Sequence, residues 1–194
     1  TIKLMNAALR KIGFNLVFDT SFGADLTIME EATEFLERLK SGKNLPLFTS
    51  CCPAWVKYLE DHHPDMLKHL SSCKSPMSML SPVLSELVPK HFNVERENLV
   101  IVAIMPCTAK KYECKRSELS HNNKPDTDYV LTTKELGRMI KEAGINFNAL
   151  EGEDNDSPFG EYTGAGTIFG ASGGVAEAAV RTAYEFATGE VLND

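Results

Sequence analysis

The chain has 194 residues, of which 43% are hydrophobic and 24% charged, a composition that suits a globular protein with a sizeable core. Its formal net charge of −7 gives no electrostatic encouragement to nucleic acid or to an anionic membrane surface. No apolar run reaches the roughly 20 residues needed to cross a bilayer, and no charged leader with an apolar stretch opens the sequence.

Apolar positions Leu4, Met5, Ala8, Leu9 and Ile12 predict a helix over residues 2–12, stopped by Gly13. Leu16-Val17-Phe18 is a short strand candidate. Asp25 or Thr27 is expected to open a helix running to Lys40 and ending at Gly42. A strand over 45–49 follows, and Pro53 suits the first turn of a helix reaching about Asp61. Pro76 starts another helix, and residues 99–105 read as an interior parallel strand covered on both faces. Tyr129-Val130-Leu131 is a further strand, and Thr133 caps a helix over 134–143. Residues 146–164 read as a long acidic loop before a glycine-rich stretch and a helix from Ala176 to Ala187. This alternation predicts an α/β fold: a mostly parallel sheet with flanking helices, forming one domain or one lobe of a larger one.

Five cysteines, Cys51, Cys52, Cys73, Cys107 and Cys114, are too few and too odd in number for a disulfide scaffold. They are either reduced core residues or soft metal ligands. Two segments stand out, Thr49-Ser50-Cys51-Cys52-Pro53-Ala54-Trp55 and Met105-Pro106-Cys107-Thr108-Ala109-Lys110-Lys111-Tyr112-Glu113, each following an apolar run. Adjacent Cys51 and Cys52 diverge, so they cannot clamp one ion as a Cys-x-x-Cys knuckle does, which argues against structural zinc. At a helix N-cap Cys52 would feel a dipole that favours thiolate, and Lys110 and Lys111 favour the thiolate of Cys107.

Glu31, Glu34 and Arg38 fall on one helix face, as a solvated ion-pair row or as a functional one. The glycines between Gly164 and Gly174 lack the Gly-Lys-Ser/Thr ending of a phosphate loop. Their physics is close approach of backbone to something bulky. The five histidines, His62, His63, His69, His91 and His121, show no ligand spacing and read as surface residues.

The two cysteine segments, in this order and separation, strongly resemble the first two active-site motifs of the iron-iron hydrogenases. The resemblance extends through Phe18 to Glu31 and through Gly160-Glu161-Tyr162 to Glu177-Ala178-Ala179, so it covers nearly the whole chain. It implies the fold of the hydrogenase H-cluster domain and reversible interconversion of dihydrogen with protons and electrons. The implied cofactor is the H-cluster, a 4Fe-4S cubane joined through a cysteine to a di-iron unit with CO, cyanide and an azadithiolate.

By position, the resemblance makes Cys52 and Cys107 two of four cubane ligands and Cys51 the proton-relay thiol. Lys110 would hydrogen-bond a cyanide, and Met105 would pack against the di-iron unit. Ser75, Pro76, Met77 and Gly170 fall at cofactor-lining positions. A relay would run from Cys51 through a water to Glu31, Ser71 and Glu34, with Arg38 at its surface end.

Implied partners are a ferredoxin or similar electron carrier and the remainder of a hydrogenase chain. The implied compartment is the cytoplasm, with the periplasm as the other possibility within the family. A hydrogenase-like iron–sulfur assembly protein and a hydrogen-sensing homologue are the alternative readings, and the intact relay disfavours both.

The pattern also departs from the family. Residues 1–194 correspond to a partial H-cluster domain. They lack its N-terminal start, the ferredoxin-like modules and the third motif, a late Cys-x-x-x-Cys that supplies two cubane ligands. Cys73, Met77 and Ala54 stand where a small residue, Gln and Gly are common, and Cys114 reads as a passenger. With two of four ligands in hand, the 194-residue polypeptide on its own is expected to bind little or no iron. Stoichiometric iron with a di-iron infrared signature in that polypeptide would overturn this expectation.

Overall fold

A computed structural model of the chain describes residues 1–121 and 123–192. In chain order its elements are α1 (Ile2–Ile12), α2 (Ser21–Ser41), α3 (Pro53–His62), α4 (Pro76–Phe92), β1 (Val102–Met105), α5 (Lys110–Glu113), β2 (Ser120–His121), β3 (Lys124–Pro125), β4 (Tyr129–Thr132), α6 (Thr133–Glu142), α7 (Ala165–Ile168) and α8 (Gly174–Thr188). The fold is mixed α/β with a parallel sheet, as the alternation predicts. Helices dominate. Among the described residues β1 and β4 form a two-stranded parallel sheet in the register Val102↔Tyr129 to Met105↔Thr132, and β2 and β3 form a short antiparallel hairpin.

Several expectations need correction. Residues 16–18 form no strand, because Val17 pairs with the acidic loop instead of a sheet. Its N–H donates to Asp156 Oδ2 and its carbonyl accepts from Asp156 N, both at 2.7 Å. The 45–49 segment reduces to one parallel bridge, Phe48↔Leu70, since Pro46 has no N–H to give a ladder and Asn44 turns with φ 56°.

The strand expected over 99–105 shortens to Val102–Met105 and is half-buried; a 3-10 turn at Arg96–Asn98 occupies the approach to it. Helix α2 begins at Ser21, ahead of the expected Asp25, because Asp19 Oδ1 accepts the Ser21 N–H at 2.8 Å and satisfies the helix start. The cap of α6 is Thr132, one residue before the expected Thr133, in a reciprocal capping box with Glu135.

Three apolar clusters hold these elements. Ala8 and Leu9 of α1 meet Val17 and Leu136 and Ile140 of α6. Leu80, Leu84 and Val88 of α4 pack with Ile101. Met77, Cys114 and Val130 form the third, with Ala103 and Met105 against it.

Helix α2 is the spine, packed on both α4 and α8. Its closest approach is at Gly23, where a Cβ would sit 2.3 Å from the Pro76 carbonyl oxygen. From that point the segment preceding α4 descends along one α2 face. Thr27 Oγ1 donates to Lys74 O at 3.3 Å, Glu34 accepts from Ser71 and Ser72, and Arg38 donates to the Lys68, His69 and Leu70 carbonyls. This strip, residues 68–76, takes its shape from positions four and seven residues apart on the helix, which fall on one face.

The glycine-rich stretch also has an internal account. A Cβ on Gly166 would lie 2.8 Å from Ser21 Cβ, and one on Gly174 would lie 1.8 Å from the Ile168 carbonyl oxygen. The bulky neighbour of these two glycines is the protein's own chain.

Gly23→Ala is expected to destabilise the fold by about 1–3 kcal/mol through overpacking against Pro76. Gly137→Ala, in the interior of α6 with nothing within 4 Å of the added methyl, should stabilise it by about 0.5–1 kcal/mol. Urea unfolding of the two variants measures both.

Candidate active site

Three loops converge beside α2, and each begins or ends a helix. The first carries Cys51 and Cys52. Cys52 is the exposed N-cap of α3 with φ −95° and ψ 107°, and Pro53 at the first helical position suits a start that has no N–H to satisfy. Cys51 is half-buried, and its carbonyl accepts from Lys110 Nζ at 3.0 Å. Burial pushes the Cys51 thiol up, the Glu31 carboxylate adds to that, and Lys110 opposes it. The thiol therefore holds its proton.

The second loop leaves β1 at Met105, passes half-buried Cys107 and enters the short helix α5. Lys110 Nζ and Glu113 Oε2 pair at 2.6 Å, with side chains only 12% and 8% exposed. Glu113 Oε1 accepts from Ser75 Oγ at 2.5 Å and from Ser78 Oγ at 2.8 Å. The third loop is the strip 68–76, tied to the first where Ser50 Oγ donates to Cys73 O at 2.6 Å. Ser75 is buried and caps α4, accepting from Ser78 N.

The acidic row of α2 is buried, which removes the solvated-face reading. Glu31 is 1% exposed, and neither of its carboxylate oxygens has a hydrogen-bond partner among the described residues. Burial pushes this carboxyl up to about 7; Ser71 and the Ser50 backbone, near but outside bonding geometry, pull it down, while the Glu34 charge pushes it further up. Glu34 has the same burial working on it. Ser71 Oγ at 2.7 Å, Arg38 Nη2 at 2.6 Å and the Ser72 N–H at 3.0 Å nevertheless hold it below the usual carboxylate range. Arg38 also donates to four backbone carbonyls, those of Asn44, Lys68, His69 and Leu70. Neighbouring carboxyls on one helix thus hold opposite protonation tendencies at neutral pH.

The sequence-derived residues fall into two connected networks. One is Ser71, Glu34 and Arg38, with Glu31 one turn along α2 and not bonded to it. The other is Cys51, Lys110 and Ser75, joined through Glu113. Met77 and Met105 share the third apolar cluster, and Pro76 is the first residue of α4 against Gly23. Gly170 is exposed after α7, and a Cβ there would meet only the Thr167 carbonyl oxygen, at 3.5 Å, within 4 Å. Cys114 is a buried core residue whose thiol donates to Lys111 O at 3.4 Å.

Two participants carry no role in the sequence reading. Glu113 closes the second motif segment and stands at the i,i+3 spacing to Lys110, but neither signal says what it does. Cys73 places Sγ 3.8 Å from Glu34 Oε2, and its thiol is pushed up to about 11 by burial and by the Glu34 and Glu31 charges, against the pull of Ser71. Local sequence holds no signal for that contact, which spans 39 residues.

The donor chemistry suits an iron–sulfur group in part. Cys52 and Cys107 are free thiols on adjoining loops and offer soft ligands. The orphaned Glu31 oxygens beside Cys51 suit a site that moves protons. Among the described residues no group of three or more His, Cys, Asp or Glu side chains could enclose a metal ion. The fit is that of one side of a site.

Comparison with known proteins gives the same picture at the level of the whole chain. The family model for the iron only hydrogenase large subunit, C-terminal domain, matches residues 1–194. The NADP-reducing hydrogenase subunit HndD of Solidesulfovibrio fructosivorans is 53% identical over 97% of this chain and 33% of its own length. Iron hydrogenase 1 of Clostridium pasteurianum is 46% identical over 96% of this chain and 33% of its own. The chain thus spans about a third of the length of these relatives. A solved variant of the apo FeFe-hydrogenase HydA1 from Chlamydomonas reinhardtii superposes on all of this chain and 49% of its own, with TM-score 0.88 and 45% identity. A cytosolic Fe-S cluster assembly factor of Xenopus tropicalis, narfl, is also similar, 31% identical over 95% of this chain and 41% of its own. With motif order, fold and a match over the whole chain in agreement, the chain belongs to the iron-only hydrogenase large-subunit family, whose C-terminal-domain model it matches over residues 1–194.

Proposed function

We propose that the chain works as part of an iron-iron hydrogenase that interconverts dihydrogen with protons and electrons at an H-cluster. The observation that carries this reading is buried Glu31, with two orphaned oxygens and a carboxyl near pH 7, set between the protonated Cys51 thiol and the Ser71–Glu34–Arg38 network. A group that titrates near the working pH both takes and gives a proton at low cost. An iron–sulfur carrier has no use for one in the protein interior.

In this reading the H-cluster, when bound, supplies the iron at which protons and electrons combine. Cys52 and Cys107 would hold the cubane from this chain, with the remaining two ligands supplied by the rest of the hydrogenase chain. Cys51 holds a proton at Sγ and exchanges it with Glu31 across a bridging water, for which the orphaned oxygens are the polar partners. Ser71 gives its hydroxyl proton toward Glu34 and keeps lone pairs to accept one from the Glu31 side. Arg38 fixes Glu34 and closes the outer end of the row. Met105, Met77, Ser75 and Pro76 would line the inner side, Lys110 offers N–H donors to an anionic ligand, and Gly170 is assigned a cofactor position by the resemblance alone.

Electrons would arrive from a ferredoxin-like carrier. Five free thiols suit a reducing compartment, the cytoplasm. No helix among the described residues is long and apolar enough to cross a membrane. The assembly reading has its support in narfl, and it differs in one respect that an assay reads: it needs no proton path.

In the full-length protein, Glu31→Gln and Ser71→Ala are each expected to lower hydrogen evolution about 10²-fold or more while leaving iron content and infrared bands intact. Unchanged turnover in both variants would overturn the relay and favour the carrier.

The raised Glu31 carboxyl also has a sign in stability. The folded chain keeps the proton up to about pH 7, whereas the unfolded chain releases it at the ordinary value of 4.5. Its contribution is therefore fully present below pH 4.5 and is lost as the pH rises through about 7, about 3 kcal/mol in all. Urea unfolding across that range should show this decline, and Glu31→Gln should flatten it.

A further inference from the structure

Glu113 is 6% exposed, lies outside the acidic row of α2, and makes more buried polar contacts than any proton path asks of it. Its Oε1 receives both serine hydroxyls of the α4 start, Ser75 at 2.5 Å and Ser78 at 2.8 Å. Its Oε2 meets the Lys110 ammonium at 2.6 Å as an ion pair outside hydrogen-bond geometry. Lys110 in turn donates to the Cys51 carbonyl at 3.0 Å. One carboxylate thus connects all three loops: its own α5, the α4 start through Ser75, and the Cys51 loop through Lys110.

An ammonium has three N–H donors. The carbonyl of Cys51 takes one, and the ionic contact with Glu113 satisfies charge without consuming a well-directed donor. Lys110 is left with donors for a third, anionic partner, its position fixed in advance. A buried pair of this kind adds little net stability over apolar residues of the same volume, and what it supplies is position.

We propose that Glu113 is the positioning residue of the site: by pairing with Lys110 while anchoring Ser75 and Ser78, it presets the Lys110 ammonium beside the Cys51 loop before any cofactor is bound. The identity of the anionic partner, a cyanide of the di-iron unit, rests on the hydrogenase reading; the presetting itself does not.

The test uses the full-length protein in apo and loaded forms. In the apo form, reductive methylation followed by mass spectrometry reads the accessibility of Lys110, with Lys111, which pairs with Glu135 at 2.6 Å, as an internal reference. Glu113→Gln should raise the Lys110 methylation rate about tenfold and leave Lys111 unchanged, because the charge is lost while size and the serine acceptors remain. Glu113→Asp, which keeps the charge on a shorter arm, should fall between wild type and Gln. If the Gln variant does not fold, the Asp variant decides alone. In the loaded form, Glu113→Gln should shift a cyanide stretch in the infrared. Unchanged Lys110 methylation in a folded variant, or an equal rise at Lys110 and Lys111, overturns the proposal. A wild-type protein that loads no di-iron unit overturns the hydrogenase reading, and the methylation comparison still decides the role of Glu113.

Discussion

A carboxylate removed from water must find a cation, collect hydrogen bonds or keep its proton, because the desolvation cost of the bare charge exceeds anything packing returns. Glu113 meets the requirement with Lys110 and two serines, Glu34 with Arg38 and the Ser71–Ser72 turn, and Glu31 with neither. The three loops of the site are arranged around these three solutions. The acid that is left unsolved is the one whose carboxyl rises toward neutrality, which is why the proposed relay turns on it.

The helices were largely legible because their signals are local. Pro53 and Pro76 mark first turns, Gly13 and Gly42 mark ends, and the 3.6-residue period of α2 put Glu31, Glu34 and Arg38 on one face. Whether that face meets solvent or protein is a tertiary fact, and only the strip 68–76 packed against it decides the matter. The strands were less legible for the same reason. Apolar runs at 16–18 and 45–49 look like strands, but strand identity is a property of a pair. Val17 found Asp156, and Phe48 found a single bridge to Leu70.

The motif residues were legible as a set, and the settings behind their proposed roles were legible only in part. Cys51 is a half-buried thiol near a carboxylate and Cys52 an exposed N-cap, a difference that adjacency in sequence does not reveal. Glu113 and Cys73 went unassigned because their partners lie 35 to 39 residues away, at Ser75, Ser78 and Glu34. No spacing rule reaches that far.

Consider finally the strip between His69 and Pro76. It has almost no secondary structure of its own, and α2 serves as the template on which it is cast: Gly23 under Pro76, Thr27 under Lys74, Glu34 under Ser71 and Arg38 under Leu70. Its lower end belongs to the Glu34–Arg38 row and its upper end, through Ser75, to the Lys110 anchor. The two networks are therefore geared to a common rack. Turning α2 by one residue, about 100°, would misalign both at once, so the Glu34–Arg38 row and the Lys110 anchor cannot drift apart independently.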